Sequence, residues 1–123
     1  MRIGADYYPE HWEKERWKTD AEMMVKANIK VIRIGEFAWS LYEPDEGKYE
    51  FDWMDEALDF FGKYGIKVVM CTPSATPPKW MVDKYPDILQ NDIHGNPKLF
   101  GTRKHYCFNS QTYREKTKKL NTL

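Results

Sequence analysis

Cysteine is scarce in this chain: Cys71 and Cys107 are the only two in 123 residues. That excludes a disulfide-stapled scaffold. No apolar run approaches the ~20 residues needed to cross a bilayer. The opening MRIGADYYPE lacks the apolar core of a signal peptide, so cytoplasmic placement is the expectation. Neither charge dominates, with 19 basic and 19 acidic residues. There is no basic excess to attract nucleic acid and no acidic tail. The glycines are dispersed, and neither a dinucleotide fingerprint nor a phosphate-cradling loop is present. His11, His94 and His105 are scattered without metal-ligand spacing, and His105-x-Cys107 is too little to define a zinc site.

What is present reads as globular: 41% of residues are hydrophobic and 31% charged, which argues against disorder. The most informative stretch is Lys30–Pro44, KVIRIGEFAWSLYEP. Val31, Ile32 and Ile34 form the β-branched run of a strand buried on both faces. Arg33 interrupts it, and a charge inside a buried strand is costly unless paired.

Read in order, the chain alternates strands and helices. Arg2–Ala5 is a short first strand. Trp17, Ala21 and Met24 share one face of a helix over Lys14–Ala27. Asn28 is placed to close that helix in a left-handed conformation. Ile29–Ile34 is the second strand. Asp52 is a candidate N-cap, and Met54, Ala57, Leu58 and Phe61 trace an amphipathic helix. Gly65 caps it, and Ile66–Met70 is the third strand. Asn28-Ile-Lys-Val-Ile and Gly65-Ile-Lys-Val-Val repeat one βα signature 37 residues apart. An eight-unit barrel of ~250 residues has a period near ~31.

After Cys71 the proline-rich Thr72–Pro78 excludes a regular helix or a central strand. Lys79–Lys84 reads as a short helix, Tyr85–Ser110 as a long loop, and Ser110 as the cap of a helix over Gln111–Lys119. The pattern βα, βα, β, loop, helix implies parallel strands. Three such strands with unpaired edges are a poor free-standing fold, so the chain reads as part of a larger one.

Parallel α/β folds place chemistry at the C-terminal ends of their strands. That selects Asp6–Trp12, Glu36–Trp39 and Thr72–Pro78. Arg33 shares a strand face with Val31 and Gly35, opposite Ile32 and Ile34. Two readings stay open for it: a brace for carboxylates or substrate hydroxyls at a barrel mouth, or a structural ion pair with Glu36 or with an acid on a strand outside the chain. Tyr7, Tyr8, Trp12, Phe37, Trp39 and Trp80 could line an aromatic cleft suited to sugar rings, or simply pack, which suits Trp12 and Trp80 best. Cys71 reads as a packed thiol. Lys116, Lys118 and Lys119 read as a solvated helix face.

The segments GADYYPEHW, RIGEFAWSLYEPDEGKYEFDWMD, PSATPPKWM and RKHYCFNS, in that order, resemble the N-terminal part of the family 42 glycoside hydrolases, β-galactosidases of bacteria and archaea. The resemblance covers essentially all of residues 1–123, which it marks as a truncated N-terminal segment of the catalytic domain. It implies about three βα units of an incomplete (β/α)8 barrel, retaining hydrolysis of terminal β-D-galactosyl residues, and homo-oligomeric, trimeric relatives. By the same resemblance Arg103 matches an arginine that contacts galactose, and Arg33 lies beside the sugar pocket. Cys107 matches the first of four cysteines that hold a structural zinc in many members; its three partners are absent here, so this chain alone is not expected to keep the ion. The family's acid/base and nucleophile glutamates fall on later strands and have no counterpart here, so no catalytic residue is assigned. Glu36 and Glu43 belong to a different motif and do not replace them. The chain alone is expected to be inactive. The alternatives are a catalytically dead galactoside-binding module and one half of a split enzyme.

Overall fold

The structure is a computed structural model that describes residues 3–102 and 104–123. Its main elements in chain order are β1 (Ile3–Asp6), α1 (Lys14–Lys26), β2 (Ile29–Ile34), α2 (Trp39–Tyr42), α3 (Asp52–Lys63), β3 (Lys67–Met70), α4 (Lys79–Lys84) and α5 (Gln111–Leu120). They fall into two compact units: the chain up to Gly35 with Glu50–Cys71, and Glu36–Tyr49 with Thr72–Leu123. Among the described residues no helix is long and apolar enough to cross a membrane.

The first unit is a three-stranded parallel sheet in the order β1-β2-β3. Ile32 and Ile34 project from one face of β2 and are fully buried. They share the core with Trp17, Ala21 and Met24 of α1 and with Met54, Ala57 and Phe61 of α3. The Tyr7 ring meets Phe61 edge-on at 5.2 Å, and Trp17 lies 5.8 Å from Phe60. The Trp17 indole N–H donates to the Pro9 carbonyl at 3.0 Å, which satisfies the polar end of a buried indole. The other side of the sheet is unfinished: Val69, beside Arg33 in the register, is 51% exposed. This is a portion of a parallel α/β barrel, as the alternation of elements predicts.

Both repeats end their helices in the same way. Asn28 has φ 57° and Gly65 has φ 70°, the left-handed turn that lets the chain leave a helix and enter a strand. The boundaries differ slightly from the sequence reading. β1 runs Ile3–Asp6 rather than Arg2–Ala5, and Arg2 lies outside the described residues. Asp52 is the first residue of α3 rather than its cap. Helix ends are the least sharply specified positions in a sequence.

The second unit packs around Trp39, Tyr42, Met81, Ile88 and Tyr113. Tyr106 and Tyr113 stack at 4.4 Å, and the Tyr113 hydroxyl donates to the Ser74 carbonyl at 2.8 Å. Burial pushes the Tyr113 phenol up to about 12. Ser110 caps α5 as its position implies, its hydroxyl accepting from the Tyr113 amide at 3.2 Å. The long stretch after Tyr85 is ordered by backbone bonds from Gln90 to His105 (2.8 Å), Lys98 to Gln90 (2.8 Å) and Cys107 to Ile88 (2.7 Å).

Two glycines three residues apart should respond oppositely to alanine. A Cβ would meet nothing at either. At Gly65 the left-handed backbone costs an L-residue about 1–2 kcal/mol. At Gly62, inside α3, alanine should add up to about 1 kcal/mol of helix stability. Urea midpoints of G62A and G65A, compared at constant m, measure both signs.

Candidate functional site

Within the first unit, one guanidinium collects contacts from both neighbouring strands. Asp6 at the end of β1 stands opposite Arg33 in the register. Arg33 Nε donates to Asp6 Oδ1 at 2.8 Å, and Nη2 reaches Oδ2 at 3.4 Å. Nη1 donates to Cys71 Sγ, just past the end of β3, at 3.2 Å. The bidentate geometry suits arginine rather than lysine. The hydrogen bond from Arg33 holds the Asp6 carboxyl below the usual carboxylate range. The ladder continues past the strands, with the Tyr7 amide on the Arg33 carbonyl (3.0 Å) and the Cys71 amide on Ile34 (2.9 Å). The ion pair therefore has a partner inside the chain, Asp6, which the sequence reading had placed in a loop.

The six aromatic candidates are divided between the two units, Tyr7, Tyr8 and Trp12 in the first and Phe37, Trp39 and Trp80 in the second. Tyr7 is core, and its hydroxyl donates to Asp20 Oδ2 at 2.9 Å. Trp39 is core, and its indole N–H donates to Glu43 Oε2 at 2.9 Å. Trp80 donates to the Glu43 carbonyl at 2.8 Å. Tyr8 stacks on His11 at 5.2 Å. Trp12 does not pack inward: it is 49% exposed, with the Arg16 guanidinium 5.0 Å from its ring centroid. Phe37 lines a cleft of the second unit, together with Thr76, Phe100 and His105, and Tyr7, Tyr8 and Trp12 line a cleft of the first. The Thr76 hydroxyl donates to the Phe37 carbonyl at 3.2 Å.

The acids of the second unit are arranged for structure. Glu43 is buried, and its second oxygen accepts from the Gly47 amide at 2.9 Å, so the carboxylate staples its own turn to Trp39. Glu46 is a hub. Lys84 and Lys116 pair with it, and the Tyr85 hydroxyl donates to it at 2.9 Å. These donors hold Glu46 down to about 2. A general acid needs the opposite shift. Lys116 is thus tied down rather than part of a solvated face, because α5 turns it toward Glu46 and the Tyr85 ring, 5.0 Å from its ammonium. Glu36 is half-buried. Arg103 lies outside the described residues. Cys107 is partly buried, and among the described residues no three His, Cys, Asp or Glu side chains form a group able to hold a metal. The described residues therefore do not fit a closed four-ligand zinc site.

The parallel sheet, with its helices on one side and a braced arginine at the strand ends, defines a piece of an α/β barrel of the kind that carries active sites at that end. Comparison with known proteins narrows the class. The family model described as beta-galactosidase, glycoside hydrolase family 42, matches residues 6–123. A beta-galactosidase of Thermus thermophilus is 54% identical over 121 residues, which are 98% of this chain and 19% of the relative. One from Haloferax lucentense is 50% identical over 120 residues, 98% of this chain and 18% of the relative. The crystal structure of a beta-galactosidase from the psychrophilic Marinomonas ef1 superposes with a TM-score of 0.94 at 47% identity, covering 99% of this chain and 19% of that one. This chain belongs to glycoside hydrolase family 42. It spans about a fifth of the length of the relatives it matches.

The sequence marked Arg33 by its misplaced charge. Asp6, Glu46 and His105 carried no comparable signal: their significance comes from partners 27, 38 and 70 positions away, and from burial.

Glu46 gives a pH prediction. Its folded value lies below its ordinary 4.5, so its contribution to stability is fully present above about 4.5 and is lost as pH falls toward about 2. Stability measured by urea unfolding should therefore fall less steeply between pH 5 and pH 2 in Glu46→Gln than in the parent. Parallel profiles would show that Glu46 is not tethered in solution.

Proposed function

We propose that residues 1–123 act as the first βα units of the catalytic barrel of a retaining β-galactosidase, supplying part of the face that binds the galactosyl ring. One observation carries this reading. The chain matches beta-galactosidases over 98% of its own length at 50–54% identity, yet spans only 18–19% of theirs. A retaining glycosidase needs two carboxyl groups ~5–5.5 Å apart, and the family's pair lies outside this sequence. The chain therefore contributes binding and scaffold rather than the bond-breaking groups.

In this reading Arg33 presents its guanidinium to the sugar hydroxyls or to the catalytic carboxylates, held by Asp6 and Cys71 so that little reorganisation is needed on binding. Arg103 binds the galactosyl ring. Cys107 supplies one of four thiolates to a structural zinc whose other ligands come from further along the complete protein. The complete protein acts in the cytoplasm on β-galactosides, as a homotrimer.

A second reading, one half of a split enzyme, is favoured by the open sheet. Neither β1 nor β3 has an outer strand partner among the described residues, and parallel edges of this kind are templates for further strands.

The chain alone should show no turnover of a chromogenic β-galactoside. A chimera in which residues 1–123 replace the matching segment of the Thermus thermophilus relative should hydrolyse it. In that chimera Arg33→Met should lower kcat/KM roughly ten- to a hundredfold, the value of a hydrogen bond to a charged group. A folded chimera without activity would contradict the reading. So would an active one indifferent to Arg33→Met. Activity on mixing the separate pieces would select the split-enzyme form.

A further inference from the structure

The strand register sorts the charges on the open face of the first unit. Asp6 stands beside Arg33, and Arg33 beside Val69. Side chains alternate along a strand, so Gly4, Val31 and Lys67 form the next row on the same face. Among the described strand residues this face therefore carries two cations, Arg33 and Lys67, and one acid, Asp6. Gly4, Ala5, Asp6, Val31 and Arg33 line an open recess of about 320 Å3 here. Neither charged side chain is sealed off from it: Asp6 is 54% exposed and Arg33 39%.

Asp6 does more than tether the guanidinium. An asparagine of the same shape could accept from Arg33 Nε through its own oxygen. Only the aspartate adds a fixed negative charge. The Arg33 hydrogen bond keeps that carboxyl in its ionised form at neutral pH. A neutral ligand in the recess feels little of this charge. An anion is drawn by Arg33 and Lys67 and repelled by Asp6, and a repulsive element of this kind discriminates between ligands of similar shape.

The geometry points to Asp6 as a specificity-determining residue, whose charge on the open face of the sheet selects neutral β-galactosides over their 6-carboxylate counterparts, the β-galacturonides. The two ligands share a ring and differ by one charge. The choice of a galactosyl ring rests on the reading that this face receives it. The sign of the charge preference rests on Asp6 alone.

The test uses the chimera described above, folded and complete. Calorimetry gives the dissociation constants of methyl β-D-galactopyranoside and methyl β-D-galactopyranosiduronate, a comparison that needs no turnover. A unit charge ~7 Å from the ligand, at intermediate dielectric, changes relative affinity roughly three- to thirtyfold. Asp6→Asn and Asp6→Ser, both neutral, should each shift the preference toward the galacturonide by that factor. Asp6→Glu, which keeps the charge, should leave it within about twofold. General damage to the site weakens both ligands and leaves their ratio unmoved. A ratio unchanged in the neutral variants, or shifted as far in Asp6→Glu, overturns the assignment. An active chimera with that result sinks this inference alone. A shifted ratio in an inactive chimera sinks the activity reading alone. A folded chimera that binds neither glycoside overturns both.

Discussion

Arg33 sits on the middle strand of a three-stranded sheet, and its guanidinium is shared between Asp6 on one side and Cys71 on the other. Side chains alternate along a strand, so sliding β1 by one residue against β2 would turn the carboxylate to the opposite face. The pair thus favours one register, the same one that directs Ile32 and Ile34 together into the helix-covered core. One polar contact and one apolar layer specify the same alignment, and such agreement between levels is what makes a sequence specify one fold.

The sheet also shows what this segment lacks. One face is closed by Trp17, Met24, Met54 and Phe61; the other carries the arginine and exposed valine. In a closed barrel that second face becomes an interior, where a guanidinium must be neutralised by carboxylate. Asp6 already provides one. In the barrel reading Arg33 would enter the assembled site as a hydrogen-bond donor of fixed direction, with much of its charge answered beforehand.

Local signals carried the sequence reading furthest. Asn28 and Gly65 announced left-handed helix ends, Ser110 announced a cap, and the 37-residue repeat announced the βα unit, because each depends on near neighbours alone. The resemblance to family 42 rested on motifs whose order and composition are distinctive. What stayed hidden depends on distant partners. The single turn α2 is too short to show a period. The stretch after Tyr85 is organised by backbone bonds that leave no side-chain pattern. Glu46 looks like one acid among many until Lys84, Tyr85 and Lys116 converge on it. His105 looked like an unattached histidine, and only the structure shows it buried, with Nδ1 against the Thr102 carbonyl.

The central claim is that the Asp6–Arg33 pair is formed and fixes the strand ends. It is tested most directly by the carboxyl titration of Asp6, followed by 13C NMR in the parent chain and in Arg33→Met. The account predicts that Asp6 titrates below the ordinary aspartate value of 3.8 in the parent and returns toward it in the variant. An Asp6 that titrates at the same pH in both would contradict it.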